Sequence, residues 1–231
     1  MERPVRSIEM AIPELTEFYQ SQRAAMVESQ LRARGIRDQR VLDAMLRVPR
    51  HEFVAEQYRA QAYEDYPLPI GEGQTISQPY IVALMLEAVQ PNPAGRALEV
   101  GTGSGYVTAL LAELTAEVYS IERHALLARE SGRVLKSLGY ESAHVVLGDG
   151  TLGLPEHGPY DAIIVSAAGT EVPAPLLAQL GEGGRMIIPV GSQESQQLRL
   201  IEKKDGEARI SLRELCRFVP LLSGVSDEHL Q

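Results

Sequence analysis

Residues 96–106, RALEVGTGSGY, constrain the fold more than any other stretch of the chain. The apolar run from Ala97 to Val100 is typical of a buried strand, three glycines follow at alternate positions, and a helical apolar spacing starts at Tyr106. In such a strand–turn–helix unit, the first N–H groups of the helix lack partners and face the region above the strand end. Because glycine has no Cβ atom, the turn can approach a ligand closely. The stretch therefore predicts a site for a nucleotide-containing cofactor.

Beyond a linker at 91–95 (PNPAG), short apolar runs alternate with helical patterns, as in parallel sheets that are covered by helices. After residue 191, two strand patterns (QQLRLIEKK and ARISLRELCRFVPL) flank an Asp205-Gly206 turn, which predicts an antiparallel edge. The predicted fold is α/β, with a doubly wound, Rossmann-like, mostly parallel sheet. The predicted strands are 96–100, 117–121, 143–147, 161–165 and 185–190, and the predicted helices of this part are 104–114, 124–138 and 174–180.

Helical patterns dominate the part of the chain before the linker. One helix is predicted from Ile12 to Arg34, and a second is predicted to start at Asp38 as its N-cap and to end before Pro49. A third is expected to start with Ser77 as its N-cap and Pro79 in its first turn.

Proline and glycine residues predict both a loop before the third helix and the position of the domain boundary. Residues 63–74 contain two prolines and two glycines and are predicted to be a loop, which is a candidate lid. The predicted division is an N-terminal helical subdomain, 1–90, that contributes to a substrate site, and a cofactor-binding α/β core, 91–231.

Composition excludes several classes of function. The net charge of −9 argues against a nucleic-acid partner, and no run approaches the ~18 apolar residues of a membrane span. Residues 1–10 lack the apolar segment of a secretory signal. The single Cys216 cannot form an internal disulfide and has no metal-ligand spacing, so no metal is expected. His51 and His124 are interpreted as surface or packing residues. The expected location is the cytoplasm, and a monomer is compatible with the sequence.

Ligands of doubly wound sheets bind at the carboxyl ends of the strands, so residues that follow the predicted strands are candidate site residues. Glu122 ends the second strand, seventeen residues after Gly105, where its carboxylate can accept both hydroxyls of an adenosine ribose. Asp149, between two glycines, can accept the amino group of adenine. The small residues at 166–169 suit a floor beneath a bulky group. A helix cap or a solvated charge is the alternative for each acidic residue.

Glu99 lies within the apolar first strand, where an unpaired carboxylate would be costly. It requires a donor, either a bound ammonium group or a partner within the fold such as a backbone N–H or Arg96. The turn has the spacing G-x-G-x-G followed by Tyr106, which differs from the dinucleotide pattern G-x-G-x-x-G. This difference favours S-adenosylmethionine, whose amino-acid end and adenosine match one acidic residue before the turn and one after the second strand.

From about Ser21 to Gly224, the sequence resembles the protein-L-isoaspartate O-methyltransferases. The turn alone is typical of many methyltransferases, whereas several ordered motifs at family spacing are specific. One departure is GTEVP at 169–173, where the family often has proline directly after the alanines. The motifs are GQTISQPYIVALM (73–85), LEVGTGSGY (98–106), YSIER (119–123), GDG (148–150), YDAIIVSAA (160–168), QLGEGGRMIIPVG (179–191) and RFVPL (217–221).

The resemblance implies methyl transfer from S-adenosylmethionine to the free α-carboxylate of L-isoaspartyl residues in damaged proteins, with S-adenosyl-L-homocysteine as product and protein repair as outcome. It places Ser77 beside the substrate carboxylate as the catalytic residue, whereas the residues alone favour a helix cap. The predicted cofactor-binding residues are Thr75, Glu99, Gly101, Thr102, Gly103, Ser104, Gly105, Glu122, Asp149 and Gly150; the predicted substrate-binding residues are Ile76, Ser77, Ala167, Phe218 and Val219.

Two alternatives stay open at this point. The first is a methyltransferase that acts on another carboxylate or on a small molecule, which the GTEVP departure allows. The second is a catalytically silent module that binds S-adenosylmethionine and acts through partners, against which the intact TISQP motif at 75–79 argues.

Overall fold

The computed structural model of the protein describes residues 12–226, so the prediction made on residues 1–10 lies outside it. Six α-helices and nine strands occupy this part, together with short 3₁₀ segments. The helices are α1 (Ile12–Ala25), α2 (Gln39–Arg47), α3 (Pro79–Val89), α4 (Tyr106–Ala112), α5 (Ala125–Ser137) and α6 (Ala174–Gln179). The strands are β1 (Leu68–Gly71), β2 (Gln74–Ile76), β3 (Arg96–Val100), β4 (Glu117–Glu122), β5 (Ala143–Leu147), β6 (Tyr160–Val165), β7 (Leu180–Gly191), β8 (Gln196–Lys204) and β9 (Glu207–Cys216).

Seven strands form the central sheet in the order β5-β4-β3-β6-β7-β8-β9. Strands β3 to β7 are parallel, and β8 and β9 are antiparallel. Asp205 and Gly206 have φ values of 56° and 78°, as a tight hairpin turn between β8 and β9 requires. The predicted fold class is confirmed, including the antiparallel edge. From β3 the next strands, β4 and β5, are added on one side of the sheet, whereas β6 and β7 are added on the other side. Sheets of this kind bind ligands at the boundary between the two sides, here between β3 and β6.

Alternate residues of β3 point to opposite faces of the sheet and join different apolar clusters. Ala97 lies in a cluster that contains Met45 and Leu86 from before the linker and Leu110 from after it. Leu98 lies in the second cluster, on the face covered by α6. The first cluster therefore packs the N-terminal helices directly on the sheet, and a separate N-terminal subdomain stays a prediction. Among the helices within residues 12–226, none is long and apolar enough to cross a membrane.

The helix predicted from Ile12 to Arg34 is not continuous. After α1 the chain widens into a π-helical turn at Met26–Leu31 and then tightens into a 3₁₀ turn at Arg32–Arg34. The wider turn brings Met26, Val27 and Leu31 to one buried face. The left-handed Gly35, with φ of 101°, ends the segment as predicted.

The start of α3 differs from the prediction. The helix starts at Pro79, its N-cap is Gln78, and no side chain caps it. Proline suits this first helical position because the N–H group it lacks would have no partner there. The prediction of Ser77 as the N-cap is therefore wrong, and its side chain is not committed to helix capping. The predicted cap of α2 is confirmed, because the Asp38 side chain accepts a hydrogen bond from the Arg40 N–H.

Residues 68–76 form an antiparallel hairpin, β1–β2, where the sequence predicted loop up to residue 74. Glu72 and Gly73 make the turn with φ values of 50° and 66°. The hairpin lies over the glycine turn of the central sheet, since a Cβ atom at Gly103 would lie 3.2 Å from the Ile70 Cδ1 atom. The prolines and glycines that predicted a loop thus form a short hairpin that is held by a contact distant in sequence.

Candidate active site

A cavity lies above the carboxyl ends of β3, β4 and β6, at the boundary between the two sides of the sheet. It encloses about 860 Å³ of space, part of it open to solvent. The hairpin β1–β2, the glycine turn, the end of β4 and the C-terminal part of the chain contribute its walls. Of the predicted site residues, it is lined by Thr75, Ile76, Ser77, Glu99, Gly101, Thr102, Gly103, Ser104, Glu122, Gly150, Ala167 and Val219.

The three glycines of the turn have positive φ values but different neighbours. Gly101 and Gly103, with φ of 92° and 53°, line the cavity. Gly105, with φ of 90°, is outside the lining, and a Cβ atom there would lie 3.2 Å from the Ser131 Cβ atom on α5. The turn thus approaches the cavity with two glycines and packs against a helix with the third. The predicted cofactor contact of Gly105 stays a prediction.

Glu122, only 4% exposed, joins the end of β4 to the glycine turn. Its Oε2 atom accepts a 2.8 Å hydrogen bond from the Gly103 N–H, and its Oε1 atom accepts a 2.9 Å bond from the His124 N–H. A carboxylate has about four acceptor positions, so these two bonds leave capacity for two hydroxyl donors. Glu122 lies on the cavity wall with the acceptor chemistry that its predicted ribose contact requires.

Glu99 also lies on the cavity wall, and its donors within the fold are two hydroxyl groups. The Oε2 atom accepts hydrogen bonds from Thr108 Oγ1 at 2.5 Å and from Ser120 Oγ at 2.8 Å. The suggested partner Arg96 instead pairs with Glu117, at 2.8 Å. Burial raises the pKa of Glu99 to about 8, although the two hydroxyl donors oppose this shift. The carboxyl group is therefore poised to ionise when a cation binds beside it.

Asp149 is outside the lining of the cavity, whereas its neighbour Gly150 is part of it. Asp149 Oδ1 accepts bonds from the N–H and the hydroxyl of Thr151, and Oδ2 accepts one from the Gly224 N–H. Burial alone would raise the pKa of Asp149, but these hydrogen bonds outweigh it and lower that pKa. A Cβ atom at Gly150 would lie 2.5 Å from Val100 Cγ1, so glycine is required there. The contact of Asp149 with adenine stays a prediction.

Residues 217–226, called the C-terminal segment below, cross the end of β6 and close one side of the cavity. The Ala168 N–H donates to the Val219 carbonyl, and the Leu221 N–H donates to the Ala168 carbonyl, each at 2.8 Å. Arg123 holds the far end of the segment through a hydrogen bond from its Nε atom to the Gly224 carbonyl. The segment contributes Val219, Pro220, Leu221 and Leu222 to the cavity wall.

A second cavity, of about 650 Å³, adjoins the first. The predicted substrate residue Phe218 lies here, together with the exposed Arg217 and the half-buried Cys216. Burial raises the pKa of the Cys216 thiol to about 11, so the thiol is protonated at neutral pH. Both cavities are lined by Thr75, Ser77, Ser166 and Val219. These four residues form the junction of the two cavities.

The sequence did not predict several residues of the lining. His124 was interpreted as a surface or packing residue, but it lines the first cavity, and its Nδ1 atom lies 3.7 Å from Glu72 Oε2. Ile121 and Arg123 flank Glu122 on the same wall. All three lie at the carboxyl end of β4, so the rule that identified Glu122 could have identified them. Leu222, by contrast, reaches the wall only through the path of the C-terminal segment.

The lining of the first cavity decides between classes of cofactor. It contains two carboxylates and one arginine, Arg123, but no lysine, which suits a cationic ligand better than a pyrophosphate. Apolar side chains of Val100, Ile121 and Leu221 suit an adenine ring. Within residues 12–226 no group of three metal-ligating side chains occurs. This doubly wound sheet and this cavity define a Rossmann-like methyltransferase that depends on S-adenosylmethionine.

The family model for Protein-L-isoaspartate(D-aspartate) O-methyltransferase matches residues 21–226. The chain belongs to this family. It is 54% identical over 212 residues to a protein-L-isoaspartate O-methyltransferase of Koribacter versatilis, covering 92% of this chain and 95% of that protein. It is also 54% identical over 202 residues to one of Methanoculleus marisnigri, covering 87% of this chain and 91% of the relative.

Solved structures agree with the sequence relatives. A protein-L-isoaspartate O-methyltransferase structure superimposes with a TM-score of 0.80 at 32% identity, covering 89% of this chain and 67% of that chain. A structure of a Plasmodium falciparum protein, described as a protein-L-isoaspartate O-methyltransferase and in complex with S-adenosyl-L-homocysteine, has a TM-score of 0.76 at 30% identity. It covers 88% of this chain and 98% of its own.

Proposed function

We propose that this protein transfers a methyl group from S-adenosylmethionine to the free α-carboxylate of L-isoaspartyl residues in damaged proteins. The observation that carries the proposal is the junction of the two cavities. Thr75 and Ser77 line both the cavity that suits the cofactor and the second cavity, which is also lined by Phe218 of the C-terminal segment. A methyl donor in the first cavity and a peptide carboxylate in the second would meet at these residues.

The first cavity supplies a partner for each part of the cofactor. Glu122 accepts the ribose hydroxyls, and Glu99 faces the ammonium group, whose positive charge favours the ionised form of this buried carboxyl group. The glycine turn, with Thr102 and Ser104, passes beside the amino-acid end, while Gly150 and Asp149 lie towards the base. Thr75 lies near the reacting end. The cofactor supplies a methyl group that is activated by its bond to a positively charged sulfur.

The second cavity holds the methyl acceptor. Ser77 Oγ is proposed to donate a hydrogen bond to the substrate carboxylate, and the positive end of α3, which starts at Pro79, favours the same anion. The predicted substrate residues Ile76 and Ala167 are buried and line the first cavity rather than the second. Phe218 and Val219 form the wall along the peptide.

Orientation and exclusion of water carry the catalysis in this proposal. A carboxylate with an ordinary pKa near 4 is ionised at pH 7, so no general base is required. The protein must align the carboxylate oxygen with the methyl group and hold the two at contact distance. A cation and an anion react to give neutral products, so a site with little water favours the transition state. The hairpin β1–β2 and the C-terminal segment provide this enclosure.

The expected product is a methyl ester, which collapses without further catalysis to a succinimide and so allows the backbone to return to normal aspartate. The biological role proposed on this basis is protein repair, with isoaspartyl peptides and proteins as the partners. A cytoplasmic location stays a prediction of the sequence.

The decisive experiment compares two peptides that differ only in Asp or isoAsp at one position. The full chain is mixed with S-adenosylmethionine labelled in its methyl group, and ester formation is measured for each peptide. We expect labelling of the isoAsp peptide alone. Equal labelling of both peptides would favour a methyltransferase with another carboxylate substrate. Cofactor binding without labelling of either peptide would favour a silent binding module.

A further inference from the structure

Arg50 is completely buried, although it lines neither cavity. It starts the short 3₁₀ segment Arg50–Phe53. Its Nε atom donates a 2.7 Å hydrogen bond to the Ala62 carbonyl, and its Nη2 atom donates a 2.8 Å bond to the Ser77 carbonyl. Its Nη1 atom has no partner, and within residues 12–226 no carboxylate forms an ion pair with it. The fold thus buries a cation that only neutral groups contact.

These contacts join three parts of the candidate site. Ala62 lies six residues before the hairpin β1–β2 and Ser77 directly follows it, so the guanidinium joins the two sides of the segment that contains the hairpin. The Arg50 Cζ atom also lies 4.8 Å from the ring centre of Tyr106, which starts α4 directly after the glycine turn. One side chain therefore fixes the hairpin and the Ser77 main chain relative to the turn that holds the cofactor.

Burial of the charged Arg50 side chain does not by itself favour folding. Burial lowers the pKa of Arg50 to about 10, while Tyr106, Tyr63 and Asp65 oppose the shift, so the side chain stays charged at neutral pH. An apolar side chain of similar size at a buried ionic position is often neutral or stabilising. A planar guanidinium, however, donates to the two carbonyls from two different nitrogen atoms held in a fixed geometry. An apolar side chain has no donor, and the single ammonium nitrogen of a lysine does not reproduce this geometry.

We propose that Arg50 is a positioning residue for the methyl acceptor. Its hydrogen bond fixes the Ser77 peptide unit at the junction of the cavities, and its unpaired positive charge behind that unit favours the carboxylate of the substrate. The inference rests on the proposed function, because it requires an anionic substrate at Ser77.

The test uses the full chain with Arg50→Lys and Arg50→Met. The matched control is Arg129→Met, which changes an arginine on α5 whose side chain is 72% exposed. For each protein we would measure the melting temperature, the affinity for S-adenosyl-L-homocysteine, and kcat and KM for the isoAsp peptide. We would also measure, with S-adenosyl-L-homocysteine bound, the affinities for the isoAsp peptide and for a neutral isoasparagine peptide.

We expect Arg50→Lys to lower kcat by about tenfold or more while the preference for isoAsp over isoasparagine is retained, since the charge remains but the two-carbonyl geometry is lost. Arg50→Met should in addition reduce that preference by about tenfold. Cofactor affinity should change little in either variant, and Arg129→Met should resemble the original protein. If Arg50→Met does not fold, Arg50→Lys still tests the proposal through the drop in kcat at unchanged cofactor affinity.

Two results would overturn the inference alone. One is an unchanged kcat in folded Arg50→Lys. The other is a loss of peptide and cofactor affinity in parallel with the melting temperature, at an unchanged preference for isoAsp, which would indicate a purely structural role. Failure of the unaltered protein to methylate the isoAsp peptide would instead overturn the proposed function, and the inference with it.

Discussion

The Oδ2 atom of Asp149 accepts a 2.7 Å hydrogen bond from the N–H group of Gly224. This bond ties the connection after β5 to the end of the C-terminal segment, which forms one wall of the first cavity. The Oδ1 atom is held by Thr151. Asp149, which the sequence predicts to bind the cofactor, therefore holds in place the C-terminal segment that forms one wall of the cofactor cavity.

Replacement of Asp149 by alanine should loosen the C-terminal segment. Hydrogen bonds to a charged group contribute about 2 kcal/mol each, so we expect weaker cofactor binding and faster proteolysis after residue 216. Calorimetry and limited proteolysis would measure the two effects, with the exposed Glu141→Ala as the control. Weaker binding with an unchanged proteolysis pattern would instead favour the predicted direct contact with adenine.

Replacement of Glu122 should weaken cofactor binding more than it weakens folding. Glu122→Ala removes the ribose acceptor and the acceptor of the Gly103 N–H, so we expect a loss of about 100-fold in affinity. Glu122→Gln keeps one acceptor oxygen and should lose about tenfold. Titration of S-adenosyl-L-homocysteine by calorimetry is the measurement, and an unchanged affinity in both variants would remove the ribose role.

The stability of the free protein should depend on the ionisation of Glu99. Its pKa is raised to about 8 in the folded state from 4.5, so unfolding releases a proton between these pH values. The stabilising contribution is therefore complete below about pH 4.5 and is lost as the pH rises to about 8, by at most about 1.4 kcal/mol per pH unit. Glu99→Gln should be more stable relative to the original protein at pH 8 than at pH 5. The free energy of unfolding, measured by urea denaturation at both pH values, would show this. An equal difference between the two proteins at pH 5 and at pH 8 would contradict it.

Binding of the cofactor should also release a proton from Glu99. At pH 7 the free carboxyl group is mostly protonated, and a neighbouring ammonium group would favour its ionised form. The binding enthalpy should therefore vary with the ionisation enthalpy of the buffer, and it should not vary in Glu99→Gln. An enthalpy that is independent of the buffer in the original protein would place the ammonium group elsewhere.

Replacement of Ser77 by alanine should lower turnover without lowering stability. The helix α3 has no side-chain cap, so loss of the hydroxyl removes no capping bond. We expect kcat to fall by roughly 10- to 100-fold through loss of a donor to the carboxylate, with cofactor affinity unchanged. Ser137→Ala, at the end of α5, is the control. An unaffected kcat would remove the proposed role of Ser77.

The sequence predicts the central sheet well because its strands are short apolar runs that alternate with helical patterns. The run at 96–100 coincides with β3, where four of five residues are buried, and the run at 143–147 coincides with β5, a less buried strand at the edge of the sheet. The hairpin β1–β2 was missed because Ile70 contacts Gly103, far along the chain, and no local pattern records that contact. The π-helical turn at Met26–Leu31 was missed for a related reason, since burial overrides helix propensity there.

The site residues likewise fall into those that a local sequence rule predicts and those that depend on contacts distant in sequence. Glu122 and the glycine turn were found because strand ends of parallel sheets meet at one edge, and the rule needs only the order of the elements. Arg50 was missed because its partners are backbone carbonyls, which exist at every residue and leave no pattern in the sequence. His124 was missed because a histidine beside a basic residue at the end of an element is typical of a surface or packing position, although it lies only two residues after the end of β4.

The wall shared by the two cavities has a kinetic consequence. Because Thr75, Ser77 and Val219 line both cavities, we expect a peptide bound in the second cavity to cover the opening of the first. Cofactor must then enter before peptide, and methylated peptide must leave before S-adenosyl-L-homocysteine. Product inhibition should accordingly follow an ordered sequential mechanism, in which S-adenosyl-L-homocysteine competes with S-adenosylmethionine and methylated peptide does not.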